Sequence, residues 1–310
     1  MPYKLRVGKL YLDNCGETIL RRARLLMWFC AVLCITASAE ATTYYVSTSG
    51  SDSNPGTIEQ PFRTVNRAVG VLRAGDTLYV RGGTYVDRFV DTDFRAGGTA
   101  SAPIVVSGYP GESVVILNNG TDAITGFMIA GREYIVIQDM TLDGSNVNMG
   151  YGVVLFNNNV TFRRVEITGA WKNGILGGGS GHQFIDLKVH GNGREPAAVY
   201  TPGHNGIYMA SDNVLVQGGE YYDNQCYGLR FLDSAASHRS SNNVISGVRS
   251  YNNGLGKGLG GTSRCGSGGG GIVIGDTNNV IRNSIVYNNL YGVEVTGVSG
   301  KMVQGAKIYN

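Results

Sequence analysis

Apolar and variable positions alternate in short bursts along residues 205–310, and the bursts repeat. Asn205-Gly-Ile-Tyr-Met-Ala, Tyr227-Gly-Leu-Arg-Phe-Leu and Tyr291-Gly-Val-Glu-Val-Thr each open on a polar or aromatic residue and a glycine before the alternation begins. Period-two alternation predicts strands with one buried face. The first two bursts lead through an Asn-bearing turn and a second apolar run to Tyr222-Asp223-Asn224 and Tyr251-Asn252-Asn253. Gly271-Ile-Val-Ile-Gly leads in the same way to Tyr287-Asn288-Asn289. A unit this short cannot bury its apolar face alone, so the copies must stack.

Aligning one turn of each copy gives Asp139, Arg164, Asp186, Gly218, Gly247, Asn283 and Gly305, a base period of about 22 residues lengthened by insertions. Apolar positions then fall into columns. One holds Ile137, Phe162, Phe184, Val216, Ile245, Ile281 and Val303; another holds Val153, Ile175, Ile207, Leu229, Ile272 and Val293. Such columns are what a coil of parallel strands needs, with rungs about 4.8 Å apart. Asn suits the corners because it tolerates left-handed backbone and bonds nearby main chain. The expectation is an all-β, single-domain parallel β-helix with three strands per rung. Upstream, Thr43-Tyr-Tyr-Val-Ser reads as a strand, and Pro61–Leu72 carries Phe62, Val65, Ala68, Val69 and Leu72 on one helical face. That short N-terminal helix is expected to cap the open end of the stack. The sequence ends at Lys307-Ile-Tyr-Asn310, partway through a rung, so either further chain or a separate cover is expected there.

Charge changes this picture little. Six of the 26 basic residues and three of the 23 acidic ones lie in residues 1–41, so the remainder is formally neutral and no nucleic-acid footprint is expected. Residues 1–41 read as a signal peptide with a long leading region: Arg21, Arg22 and Arg24 precede the apolar run Leu25–Ile35, and small residues follow at Ala37-Ser38-Ala39 or Ala39-Glu40-Ala41. The run is too short for an ordinary membrane span. Export to an extracellular or periplasmic compartment follows, with residues 42–310 as the mature domain. Cys226 and Cys265 remain after the leader; each precedes a Gly-apolar strand start one rung from the other, so a Cys226–Cys265 disulfide is expected. Two free buried thiols are the alternative.

Tyr44-Tyr-Val-Ser-Thr-Ser-Gly-Ser-Asp-Ser-Asn-Pro-Gly-Thr, Gln60-Pro-Phe-Arg-Thr-Val and Gly75-Asp-Thr-Leu-Tyr-Val-Arg-Gly-Gly-Thr-Tyr resemble the entry segment of secreted right-handed parallel β-helix proteins of the pectate-lyase-like superfamily. With the Asn-rich rungs, the resemblance covers nearly all of residues 43–310. It implies a right-handed coil. Relatives of this kind include calcium-dependent pectate lyases, other uronan lyases, epimerases, glycoside hydrolases and members without demonstrated activity, so the reaction must be argued from the site.

A uronan lyase must neutralise a carboxylate, remove the neighbouring proton and help a sugar oxygen depart. The resemblance places such groups on the outer face of the first sheet. Outward positions there are Val154, Leu176, Tyr208, Arg230, Val273 and Glu294, with Lys172 and His204 at equivalent corners just before the strands. Tyr208, Arg230, His204 and Lys172 are the expected catalytic set; Glu294, Tyr200, Lys257 and Arg264 are the expected substrate contacts, the last three from long insertions beside the sheet. Each also reads as ordinary surface or corner chemistry. Asp233, Asp276 and Asp212 fall near one turn on successive rungs, where Ca²⁺ would relieve their repulsion; turn preference explains each singly. Asp139, Arg164 and Asp186 read as a salt-bridge ladder. The Gly-rich stretch 254–270 lacks the Gly-Lys-Ser/Thr of a phosphate loop.

The expectation is therefore a monomeric, polysaccharide-active protein, a lyase of an acidic polysaccharide by β-elimination. The alternatives are a non-catalytic carbohydrate-binding or adhesion β-helix and a glycoside hydrolase. The hydrolase needs two carboxylates across a groove, and Glu294 alone is acidic in the outward column.

Overall fold

The computed structural model describes residues 40–120, 127–147, 150–194, 203–232, 240–255, 265, 269–297 and 303–309. The alternating bursts form a seven-stranded sheet made of Phe127–Ile129, Val153–Asn158, Ile175–Ser180, Ile207–Asp212, Leu229–Phe231, Gly270–Ile274 and Tyr291–Val295. Neighbours pair in parallel, so Val153, Ile175, Ile207, Leu229, Ile272 and Val293 form one continuous column, as the alternation required. The remaining two faces of each rung belong to a sixteen-stranded sheet. In its early rungs one strand serves both faces: Ile135–Asp143 and Thr161–Thr168 bend at Asp139 and Arg164, whose φ values are 59° and 49°. Later rungs break at the same column, with Asp186, Gly218, Gly247 and Asn283 also left-handed. The result is a parallel β-helix enclosing one apolar core that runs from Val46 to Ile281. Among the described residues no helix is long and apolar enough to cross a membrane.

Two sequence expectations shift. Ile281 pairs with Ile308, not Val303, and Gly305 belongs to a different corner, the one occupied by Asn213, Asn242 and Asn278. Both turns present a left-handed residue, so the repeat alone does not distinguish them. The expected helix over Pro61–Leu72 contracts to Val65–Val69. Phe62 instead bridges to Val46 in parallel fashion, which holds the chain extended up to Thr64. Thr64 Oγ1 accepts from the Arg67 N–H at 3.1 Å, and the buried Asp87 carboxylate accepts from the Val65 N–H at 2.7 Å, together satisfying the helix start. The helix packs on Thr43–Val46 and Thr77–Val80, the first strands of the coil.

The Tyr-Asp/Asn-Asn triplets now have a physical account. The first residue points outward from the third face, where Tyr222, Tyr251 and Tyr287 stack at 4.9 and 5.0 Å between centroids. The second takes the left-handed corner, with φ of 52° at Asp223, 57° at Asn252 and 50° at Asn288. The third enters a buried amide ladder. Asn224 Nδ2 donates to Asn253 Oδ1 at 3.1 Å and to the Val189 carbonyl at 3.0 Å, and Asn253 repeats both bonds to Asn289 and Tyr221. His190-Gly191-Asn192 is a further copy: His190 stacks on Tyr222 at 4.6 Å, and Asn192 donates to Asn224 Oδ1 at 3.0 Å. It escaped the pattern because His and Gly stand where Tyr and Asp are expected.

Removing one rung of the ladder orphans buried partners, each costing about 1–3 kcal/mol. Asn224→Ala should lower the thermal midpoint well below that of Asn289→Ala, because Asn289 is the less enclosed end of the ladder. Equal shifts in a calorimetric comparison of the two variants contradict this account.

Candidate functional site

On the outer face of the seven-stranded sheet, Val154, Leu176, Tyr208, Arg230, Val273 and Glu294 lie in register on successive rungs. Parallel in-register pairing puts Arg230 directly beside Tyr208. The guanidinium carbon sits 4.7 Å from the phenol ring centroid, within cation–π range. Arg230 Nε is buried and has no hydrogen-bond partner among the described residues. An orphaned buried donor of this kind is costly unless an acceptor arrives.

That side chain lines a cavity of about 300 Å³ with Gly203, Tyr227, Val273, Glu294 and the Cys226–Cys265 pair. Tyr227 is a cavity-lining residue that sequence reasoning missed. It opens a Tyr-Gly strand start and so reads only as a corner. In the structure its ring packs with Val273 and Cys226 in a small apolar cluster, and its Oη–H donates to Glu294 Oε2 at 2.6 Å, two rungs away. Burial first, then the Glu294 carboxylate, push the Tyr227 phenol well above its ordinary range. Tyr227 therefore remains a donor and fixes Glu294 as an acceptor facing Arg230 across Val273. No sequence signal links residues 67 positions apart in this way.

Lys172 and His204 do occupy equivalent corners, but they look elsewhere. The Lys172 ammonium lies 5.4 Å from the Tyr151 ring centroid. His204 is only 5% exposed, and a Cβ placed on Gly193 would sit 3.0 Å from its own Cβ. Neither lines the cavity. Tyr200, Lys257, Arg264 and Asp233 lie outside the described residues. Arg194, from the same insertion as Tyr200, is committed to main chain: it donates to the carbonyls of Gly169 at 2.6 Å, Ser145 at 3.2 Å and Val147 at 3.3 Å.

Of the expected calcium ligands, Asp212 aligns with Ser241 and Thr277, and its Oδ1 accepts from the Ser241 N–H at 2.8 Å. Asp276 stands one position ahead of Thr277, so its side chain is out of register with Asp212. Among the described residues no three His, Cys, Asp or Glu side chains gather as a metal cage. Asp212 and Asp276 therefore do not share one column. Arg164 does bridge to Asp139 in a bidentate manner, at 2.6 and 2.9 Å. A larger groove of about 410 Å³ runs past this pair, Glu166, Asp186 and Lys188. Its cations already face carboxylates, which makes it a poorer anion site than the Arg230 cavity.

The expected disulfide is present between Cys226 and Cys265 and forms one wall of the cavity. Closing a loop of 39 residues is worth about 2–4 kcal/mol. Reductant, or Cys226→Ser with Cys265→Ser, should lower the thermal midpoint measurably; an unchanged melt in both cases rules the bond out as a stabiliser.

Residues 44–302 match a family model described as the Pel9A-like right-handed β-helix region. The chain is 34% identical over 168 residues to pectate lyase PEL9 of Emericella nidulans, a match that spans 50% of this chain and 40% of that relative's length. Among solved structures, a rhamnogalacturonan lyase superposes with TM-score 0.60 at 18% identity, covering 81% of this chain and 69% of that one. Pectate lyase Pel9A superposes with TM-score 0.52 at 17% identity, covering 86% and 76%. At these identities the two structures speak to the fold alone.

Proposed function

The chain belongs to the Pel9A-like right-handed β-helix family, and from that premise we propose that it is a polysaccharide lyase acting on uronate-containing chains. The observation that carries this reading is Arg230. It stacks on Tyr208, its Nε lacks an acceptor among the described residues, and it faces a cavity on the outer sheet surface. A uronate carboxylate supplies the missing acceptor in the bidentate geometry that guanidinium favours.

β-Elimination then follows from charge. Loss of the proton on the carbon beside the carboxylate sends negative charge into that carboxylate. The carbon–oxygen bond to the next sugar breaks as a carbon–carbon double bond forms, and the departing oxygen takes a proton. Arg230 stabilises the charge as it develops, where a fixed donor in a partly dry site counts most. Tyr208 lies beside it and carries the proton from that carbon to the departing oxygen, whereas His204 and Lys172, which do not line the cavity, have no part in the step. Glu294, held by Tyr227, accepts sugar hydroxyls, and Tyr200, Lys257 and Arg264 complete the proposed contacts. No step is routed through Ca²⁺, which enters as an experimental variable. The disulfide supports an exported, oxidising location, and a monomer is proposed.

Incubation with pectate, alginate and glycosaminoglycans, with and without Ca²⁺, should yield absorbance from unsaturated uronate ends on at least one polymer. Arg230→Ala should lower kcat about 100-fold or more, in line with loss of a transition-state donor. Binding without turnover on every polymer refutes the lyase and leaves a binding module. Turnover unaffected by Arg230→Ala moves the site elsewhere.

A further inference from the structure

Every phenylalanine in the described residues is buried to 2% exposure or less except Phe156, which is 55% exposed. It points outward from Val153–Asn158, on the same sheet face as Arg230. Its strand partners in the next two rungs are Gly178 and Ala210, so nothing large stands beside it in that direction. The ring leans that way: a Cβ built on Gly178 would meet Phe156 Cδ1 at 3.6 Å and Cε1 at 4.0 Å. One edge of the ring therefore borders the Gly178 backbone, while the residue as a whole stays 55% exposed.

The surroundings say what could cover it. On one side runs the apolar column of Val154 and Leu176; on the other lie Asn158, Ser180 and Asp212, in register and partly exposed. An isolated aromatic face with a row of hydrogen-bonding side chains along one edge suits a pyranose, which has an apolar C–H face and a hydroxyl rim. A protein or lipid partner calls for a contiguous apolar patch instead. Position along the axis selects the occupant. Measured along the axis, Phe156 is two rungs from Tyr208 and three from Arg230, roughly 10 and 14 Å at the usual strand spacing, and it stands two residues further along its strand than their column. A sugar in an extended glycan advances by a length close to one rung.

We propose that Phe156 is a stacking subsite for the polysaccharide chain whose carboxylate binds at Arg230, holding a sugar two or three units away. The inference rests on the reading of Arg230 for the identity of the chain, and it adds a length requirement. A dimer anchored at Arg230 cannot reach the ring; a hexamer lying along the axis can.

Calorimetric titration of oligogalacturonide dimer and hexamer separates the possibilities, using wild type, Phe156→Ala, Phe156→Trp and Arg230→Ala. Phe156→Ala should weaken hexamer binding about tenfold, the scale of one aromatic contact, and leave the dimer unchanged. Phe156→Trp should restore the hexamer and report its binding through indole fluorescence. The side chain is exposed, so thermal midpoints should match wild type. If Arg230→Ala weakens both lengths while Phe156→Ala weakens neither, or both equally, the subsite is overturned and the Arg230 reading stands. If Arg230→Ala changes nothing, that reading fails, and Phe156 is judged alone by the same length dependence. If no uronide binds wild type, xylose dimer and hexamer decide it, and absence of a length-dependent loss in Phe156→Ala overturns the subsite there too.

Discussion

Parallel, in-register pairing of successive rungs is the constraint on which the rest of this structure depends. It repeats the chain at one strand spacing and sets every residue beside its equivalent in the next turn. Like then meets like. Apolar positions become continuous columns, and the corner asparagines become a ladder in which each amide donates both to its successor and to a main-chain carbonyl. Buried amides are tolerable only when so satisfied. A single asparagine at one corner is a liability; four in succession are mutually supporting.

The same rule organises the outer surface, with a different outcome on each face. On the third face it stacks His190, Tyr222, Tyr251 and Tyr287 into one pile whose ring faces are largely spent on one another. At the second corner it sets Arg164 against Asp139, so charge is used internally. On the first sheet the column is not uniform. Tyr208, Arg230, Val273 and Glu294 differ in kind, and Arg230 has a phenol ring as its column neighbour on one side and an alkyl group on the other. An irregular column in a regular lattice leaves binding capacity unspent. That is why the chemistry is sought there rather than in the larger groove.

Distance along the axis then matters as much as identity. Glu294 is two rungs from Arg230 and is steadied by Tyr227, whose phenol spans the intervening Val273. Phe156 lies three rungs away in the other direction. A polymer laid along the axis samples all of them, and the rigid spacing of the rungs serves as the ruler.

Much of this was legible from residues alone. Period-two alternation and the recurrent Tyr-Asx-Asn corners determined a parallel coil, its inward columns and the adjacency of Tyr208 and Arg230, because each depends only on counting from one rung to the next; the Cys226–Cys265 pairing was expected from the oxidising compartment as well. Counting failed at the last rung, where Gly305 satisfies two different corners equally well, and at His190-Gly191-Asn192, where other residues fill the same geometry. It was silent on where side chains turn once placed. That Tyr227 reaches Glu294, that Lys172 lies over Tyr151, that Arg194 is consumed by carbonyls and that Phe156 alone among the described phenylalanines stays uncovered were decided by packing across rungs. Those contacts join residues tens of positions apart through side-chain rotamers, and rotamers follow from the filled space around them rather than from the repeat.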